Sequence, residues 1–154
     1  MPKQVLFVCV FNLQRSMAAE YFLRYMLSQN KPDYTDRIVI FSAGFVGKEI
    51  TLWFQTNEIP FPDPLFGRTP TKVAQDILLK WGIDISQHRS RPVDQTILDQ
   101  SDLIIPMMDI LKRDLLFAYP EIVPKVVLPR ELLKKDVEFF WEDTAAVPND
   151  SRMY

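Results

Sequence analysis

VLFVCVFNLQRSMAAE, which runs from Val5 to Glu20, is the stretch that decides the fold. Residues Val5 to Val8 are β-branched, aromatic or aliphatic, which is typical of a buried β-strand. From Arg15 onwards the apolar residues follow helical spacing, at Ala18, Ala19, Phe22, Leu23, Met26 and Leu27. The sequence therefore predicts a strand that leads through one short loop into a helix.

The predicted loop begins with Cys9, the only cysteine of the chain, and closes with Arg15 and Ser16. Backbone N–H groups at the start of a helix lack intrahelical acceptors, and the helix dipole favours negative charge there. The helix dipole and the guanidinium of Arg15 also favour the thiolate form of a cysteine. The pattern predicts a site for a phosphate-sized oxyanion beside a nucleophile.

A second interpretation of Cys9 has to be weighed. A lone cysteine at the end of a buried strand is more often a small apolar core residue than a nucleophile. Arg15 and Ser16 at the start of the following helix favour the nucleophile.

Cys9-x-x-Asn12-x-x-Arg15-Ser16, followed by Met17-Ala18-Ala19-Glu20, resembles the signature loop of the low-molecular-weight protein tyrosine phosphatases and of the arsenate reductases that share their fold. Three later motifs resemble the same family in the same order: Ser42-Ala43-Gly44, Gly82 to Ser86 with His88 to Arg91, and Ser101 to Ile105 before Met107. The likeness covers residues 4 to about 128.

Strands that alternate with helices predict an α/β fold, a four-stranded parallel sheet of order 2-1-3-4 with helices on both faces. The phosphate-binding loop is expected between strand 1 and helix 1. The predicted strands are Gln4 to Cys9, Arg37 to Phe41, Asp102 to Ile105 and Val123 to Leu128. Residues 1–154 are expected to form a single domain, because no linker or repeat divides the chain.

The resemblance is interrupted at residues 48–67, KEITLWFQTNEIPFPDPLFG, a stretch rich in aromatic residues and proline. We expect it to be a lid beside the site, to contact another subunit, or to cover the sheet. The family usually has a further helix near its end, but only eleven residues follow Asp143 here. A homo-oligomer through the insertion, or through the sheet face left by this shortened C-terminus, is therefore also expected.

The resemblance implies a reaction without metal or cofactor. Cys9 attacks phosphorus, and Arg15 holds the developing charge with the loop residues Val10, Phe11, Asn12, Leu13, Gln14 and Ser16. The general acid of the family is an aspartate followed by proline. Asp143 is the best match, although threonine follows it and the nearby acidic residues Glu142, Asp136 and Asp150 compete for the role.

Three more residues have predicted roles near the loop. The resemblance implies that Ser42 holds Asn12, whereas the sequence alone fits a plain turn role for Ser42 equally well. His88 is expected at the surface or in a hydrogen bond rather than in catalysis. Phe11 stands where the family commonly has glycine, so its ring is expected to narrow the pocket or form its wall.

Composition is that of an ordinary soluble globular protein, with 47% hydrophobic and 25% charged residues. Eighteen basic and twenty acidic residues give a net charge of −2, which indicates neither nucleic acid nor an anionic membrane as a partner. The apolar run at the N-terminus is too short for a signal peptide, and one cysteine cannot form an internal disulfide. A cytoplasmic protein is expected.

Three hypotheses on function follow. The first is a phosphatase acting on phosphotyrosine, in a phosphorylated protein, or on another small phosphoester. The second is an arsenate reductase. It would have to use an external thiol, because Gln14 stands where the family often has a second cysteine and the chain has no other cysteine to pair with Cys9. The third is an oxyanion-binding or regulatory protein of the same fold without turnover.

Overall fold

The computed structural model describes residues 1–133. Its strands are β1 (Lys3–Cys9), β2 (Ile38–Gly44) and β3 (Leu103–Pro106). Its α-helices are α1 (Arg15–Asn30), α2 (Lys48–Thr56), α3 (Lys72–Leu79), α4 (Gln95–Gln100), α5 (Asp109–Ala118) and α6 (Pro129–Leu133). Two short 3₁₀ helices span Pro32–Tyr34 and Pro120–Lys125.

The three strands form a parallel sheet in the order β2-β1-β3. In its register Val5 lies opposite Ile40 on one side and Leu103 on the other, and Cys9 lies opposite Gly44. Parallel strands end at the same edge of a sheet. The loop that follows Cys9 therefore starts beside the end of β2.

The prediction of a fourth strand at Val123 to Leu128 is wrong for the described chain, whose sheet has three strands. Only a bridge between Val126 and Ile104 remains, with the N–H of Val127 donating to the Ile104 carbonyl over 3.0 Å. Pro124 lies inside the 3₁₀ helix, and Pro129 begins α6. Proline donates no backbone hydrogen bond, and the stretch between these two prolines pairs with β3 only at the Val126 bridge.

The main core lies on the face of β1 that carries Leu6 and Val8, both fully buried. Side chains of α4 and α5 pack there, namely Ile97, Leu98, Leu111 and Leu115. A second cluster forms around Met17 of α1, with Leu78, Ile83 and Ile85. The described chain is thus an α/β protein whose parallel sheet is covered by helices, as expected.

Groups from elsewhere in the chain contact the outer side of β2. Arg24 donates from Nε to the carbonyl of Ile40 over 3.1 Å, and Arg91 donates from Nε to the carbonyl of Ser42 over 3.0 Å. Gly44 exchanges backbone hydrogen bonds with Arg91 and Val93 over 2.8 Å each. The contacts of Ser42 and Gly44 hold the segment around Arg91 against the end of β2, and that of Ile40 joins α1 to the same strand.

Helix α2 is formed by the first part of the segment 48–67, for which the sequence predicts no regular element. The buried carboxylate of Asp114, on α5, accepts hydrogen bonds from the N–H groups of Glu49 at 2.8 Å and Ile50 at 3.1 Å. Gly47 permits this contact, because a Cβ there would lie 2.4 Å from the Cβ of Asp114. Asp114 thus caps the start of α2 and joins it to α5.

The apolar face of α2 packs beside the loop after β1. Ile50 and Phe54 are buried in one cluster with Val10, and Phe11 and Phe61 pack against it. The segment therefore contacts the predicted site directly. Across residues 1–133, each helix is too short or too polar to cross a membrane.

Candidate active site

The loop between β1 and α1 forms one side of a cavity of about 490 Å³. Six residues between Cys9 and Arg15 line this cavity: Cys9, Val10, Phe11, Leu13, Gln14 and Arg15. The other described lining residues are Trp53, Phe54, Ile59, Pro62, Arg68 and Thr71. The structure thus brings most of the predicted loop residues to one cavity and adds a wall from α2 and the chain that follows it.

The sulfur of Cys9 lies in a polar environment although the residue is 6% exposed. Its Sγ is 2.8 Å from the hydroxyl oxygen of Ser16, and the backbone N–H of Asn12 donates to Sγ over 3.2 Å. Cys9 is a free cysteine. Its environment differs from that of an apolar core cysteine, because its sulfur has two polar partners.

The direction of the bond between Ser16 and Cys9 follows from the hydrogens available. Asn12 donates its two amide hydrogens from Nδ2, one to Ser16 Oγ at 3.0 Å and one to Ser42 Oγ at 2.7 Å. The hydroxyl hydrogen of Ser16 then has two acceptors in range, the sulfur at 2.8 Å and the carbonyl of Ala43 at 3.5 Å. A thiolate sulfur has no hydrogen to donate, so in the thiolate form of Cys9 the Ser16 hydroxyl is the donor.

Asn12 is the fully buried centre of this network. Its φ of +59° is in the left-handed region, which asparagine tolerates better than most residues. Its Oδ1 accepts from the N–H of Arg91 at 3.1 Å, and its backbone carbonyl is 2.9 Å from Nε2 of His88. The contact between Asn12 and Ser42 that the resemblance implies is therefore present.

Asn12 and Ser16 lie behind the cavity rather than in its lining, although both are among the predicted substrate-binding residues. Their side chains are fully buried. Asn12 and Ser16 therefore support the loop and contact the sulfur of Cys9 from behind the cavity.

Glu20 completes the network and was given no role by sequence reasoning. Its buried carboxylate accepts a hydrogen bond from Ser42 at 2.7 Å and pairs with Arg24 at 2.9 Å. The spacing of Glu20 and Arg24, one helical turn apart, is the signal that sequence could have offered. A carboxylate at this end of the network orients the Ser42 hydroxyl, which leaves the Ser42 oxygen to accept from Asn12.

His88 and Tyr21 form a second set of contacts beside Asn12. His88 is buried and in a hydrogen bond, in agreement with the role expected for it. The Tyr21 ring meets its imidazole edge-on, with the ring centres 5.7 Å apart. Burial, and then the negative charge of Glu20, raises the pKa of Tyr21, so that its phenol is neutral at physiological pH.

Phe11 forms part of the cavity wall, as expected. Its ring meets that of Phe54 edge-on, with centres 5.7 Å apart, and Phe54 stacks on Phe61 with centres 4.8 Å apart. Among the described residues other than glycine, only Asn12 and Glu58 have positive φ. Phe11 therefore avoids the left-handed conformation in which its side chain would be unfavourable.

Gly44 brings the end of β2 close to the back of the loop. A Cβ at this position would lie 2.6 Å from the carbonyl oxygen of Val10 and 2.5 Å from the ring of Phe66. The N–H of Phe45 also donates to the Cys9 carbonyl over 2.9 Å. The close approach of two backbones is thus a reason for glycine in the Ser42-Ala43-Gly44 motif.

The candidate general acids cannot be placed beside the cavity, because the structure describes residues 1–133. Asp143 and its competitors Glu142, Asp136 and Asp150 lie outside the described residues, and the described cavity lining contains no carboxylate. Within residues 1–133, no three His, Cys, Asp or Glu side chains are grouped so that they could hold a metal ion.

Fold and site together define an α/β protein with a cysteine at the carboxyl end of its central strand and an arginine at the start of the next helix. No model of a known protein family matches the chain. The low-molecular-weight protein-tyrosine-phosphatase Ptp of Acinetobacter johnsonii is 32% identical over 105 residues, which are 68% of this chain and 56% of that protein. The chain thus spans less than two thirds of this relative.

Two other similar proteins are covered by this chain over more of their own length. The probable low-molecular-weight protein-tyrosine-phosphatase EpsP of Ralstonia solanacearum is 25% identical over 138 residues, 90% of this chain and 78% of that protein. The crystal structure of a low-molecular-weight protein tyrosine phosphatase from T. tengcongensis is 27% identical, with a TM-score of 0.64 over 84% of this chain and 75% of that one. These similarities to low-molecular-weight protein tyrosine phosphatases, in sequence and in fold, confirm the resemblance.

Proposed function

We propose that the protein is a cysteine-dependent phosphatase that hydrolyses phosphotyrosine or another phosphomonoester through a phosphocysteine intermediate. The observation that carries this proposal is the environment of Cys9. Its sulfur accepts hydrogen bonds from the Ser16 hydroxyl and the Asn12 N–H, and it lines one cavity with Arg15. A thiolate beside a fixed cation suits attack on a phosphoryl group.

The proposed reaction has two displacements. The Cys9 thiolate forms a bond to phosphorus while the bond to the ester oxygen breaks, and Asp143 gives its proton to the leaving oxygen. Water then attacks the phosphocysteine, Asp143 takes a proton from this water, and phosphate leaves as the thiolate is restored. The loop N–H groups and Arg15 stabilise the charge on the phosphoryl oxygens in both steps.

The cavity wall supports an aromatic substrate. Phe11, Trp53 and Phe54 present rings to the same cavity as Cys9, and its volume of about 490 Å³ exceeds that of a phosphoryl group. Aromatic side chains bind aromatic ligands through edge and offset contacts. Both curated relatives are named protein-tyrosine phosphatases, which agrees with phosphotyrosine as the substrate.

A second candidate is an oxyanion-binding protein without turnover. It is favoured by the described cavity lining, which contains cations but no carboxylate to act as a general acid. The two candidates differ in whether Asp143 reaches the phosphoryl group.

The test is hydrolysis of p-nitrophenyl phosphate between about pH 5 and 8 by the native protein, Cys9→Ser and Asp143→Asn. We expect turnover that is lost in Cys9→Ser and reduced roughly 10²-fold or more in Asp143→Asn. Phosphate binding without turnover would contradict the phosphatase and favour the binding protein. Arsenate reduction that needs an added thiol would favour the arsenate reductase.

A further inference from the structure

We infer that Arg68 forms a second anion-binding position in this cavity, where it binds a carboxylate of an acidic phosphopeptide. The inference rests on the proposed function, because it specifies the substrates of the same site. Arg68 lies outside the loop and outside every motif that carries the family resemblance.

The backbone at Arg68 is held by Ser90. Its N–H donates to Ser90 Oγ over 3.0 Å, and its carbonyl accepts from the Ser90 N–H over 3.0 Å. The N–H of the preceding Gly67 donates to the Ser90 carbonyl over 2.7 Å. Since Ser90 is 3% exposed, these bonds fix the start of the Arg68 side chain to the interior of the protein.

The charge of Arg68 is not neutralised within residues 1–133. The side chains of Arg24, Arg113 and Arg130 each pair with a carboxylate, whereas no described carboxylate lies within ion-pair distance of Arg68. The described lining of the cavity contains Arg68 and Arg15 and no acidic residue. A cation in a partly apolar concave site attracts an anion more strongly than one on an open surface.

The size and walls of the cavity indicate where this anion comes from. In the proposed function the phosphoryl group of a phosphotyrosine is bound at Cys9 and Arg15. The aromatic ring of the phosphotyrosine then contacts Phe11 and Phe54. A cavity of about 490 Å³ leaves room for a neighbouring group of the ligand. In a phosphopeptide, a glutamate adjacent in sequence to the phosphotyrosine supplies a carboxylate that Arg68 can bind through its two-pronged guanidinium.

The experiment measures binding without turnover. Two peptides carry the same non-hydrolysable phosphonate analogue of phosphotyrosine, flanked on both sides by Glu in one and by Gln in the other. Calorimetry at low salt compares their affinities for the native protein, for Arg68→Gln and for the control Arg37→Gln. Arg37 is an exposed arginine over the ring of Tyr34 and does not line the cavity.

We expect the native protein and Arg37→Gln to bind the Glu peptide about tenfold more tightly than the Gln peptide. In Arg68→Gln this ratio should fall to about one, and in the native protein it should fall as salt is added. The net charge of −2 would by itself disfavour the Glu peptide, so a preference for it has to come from a local cation.

Equal binding of the two peptides by the native protein would overturn the inference, and so would a preference that persists in Arg68→Gln. Both results leave the phosphatase proposal intact if p-nitrophenyl phosphate is still hydrolysed in a Cys9-dependent way. Conversely, a preference that depends on Arg68 in a protein without turnover would keep the anion-binding position and overturn only the phosphatase.

Discussion

The hydroxyl of Ser16 and that of Ser42 both accept a hydrogen bond from Asn12, but only the Ser16 hydroxyl lies beside the sulfur of Cys9. Each Ser→Ala change leaves one buried amide hydrogen without an acceptor, which costs about 1–3 kcal/mol of stability. Ser16→Ala also removes a donor to the sulfur. We expect its kcat/KM for p-nitrophenyl phosphate to fall about 10- to 100-fold, the effect of a hydrogen bond to a charged group.

Ser42→Ala is the matched control, because it removes a neighbouring acceptor and leaves the contact between Ser16 and Cys9 in place. Urea unfolding checks that both variants remain folded. Equal losses of kcat/KM in the two variants would mean that the network acts on the loop as a whole and not through the sulfur.

Sequence was informative about residues whose role depends on near neighbours. Cys9, Arg15 and Ser16 belong to one short loop, and the residue pattern predicts their proximity. The buried contact between His88 and Asn12 joins residues 76 positions apart, and the Asp114 cap of α2 joins residues 64 and 65 positions apart. Such contacts depend on how distant segments pack, which hydrophobic periodicity does not specify.

Helix α2 depends on the close approach of Gly47 to Asp114. Gly47→Ala places a Cβ 2.4 Å from the Cβ of Asp114, so the two backbones have to separate. We expect a loss of about 1–3 kcal/mol in the free energy of unfolding, together with a raised KM for aromatic phosphoesters, because α2 carries Phe54 of the cavity wall. Urea unfolding and steady-state kinetics measure the two effects.

Gly82→Ala separates this steric effect from the backbone preference of glycine. Gly82 has φ +76° with nothing within 4 Å of an added Cβ, so its substitution costs about 1–2 kcal/mol through conformation alone. Its KM should not change, since Gly82 does not line the cavity. An unchanged KM in Gly47→Ala as well would show that α2 keeps its position without this contact.

Local patterns predicted β1, β2, β3 and the order of these three strands, because each strand is a short apolar run and the parallel connections are constrained. They predicted a strand at Val123 to Leu128 for the same reason. There the apolar run is interrupted by Pro124 and followed by Pro129, and the chain forms a 3₁₀ helix and the start of α6 instead. The prolines outweigh the β propensity of the valines.

The pH dependence of unfolding should include a contribution from Asp109, at the start of α5, and Arg130, on α6. A hydrogen bond from Arg130 at 2.7 Å lowers the pKa of Asp109 below its usual value of about 3.9. A lowered folded-state pKa gives stability that is present above about pH 4 and is lost as the pH falls through the folded-state value. Because both side chains are about half exposed, this stability is at most about 1 kcal/mol.

Arg130→Gln tests this contribution. We expect it to be up to about 1 kcal/mol less stable than the native protein near pH 7, and equally stable near pH 2, where Asp109 is protonated in both. Urea unfolding at the two pH values, with and without about 1 M salt, measures the difference. A difference that is the same at both pH values would assign the effect to packing of the arginine side chain.

Parallel sheets in folded proteins carry a risk at their outermost strand, whose free carbonyls can template the addition of a strand from another molecule. In this chain the acceptors at Ile40 and Ser42 are engaged by Arg24 and Arg91, and Gly44 is paired with the backbone around Pro92. The two arginines thus occupy two of the backbone acceptors that a strand added at β2 would need. An added strand would have to displace both arginines before it could pair with these two carbonyls.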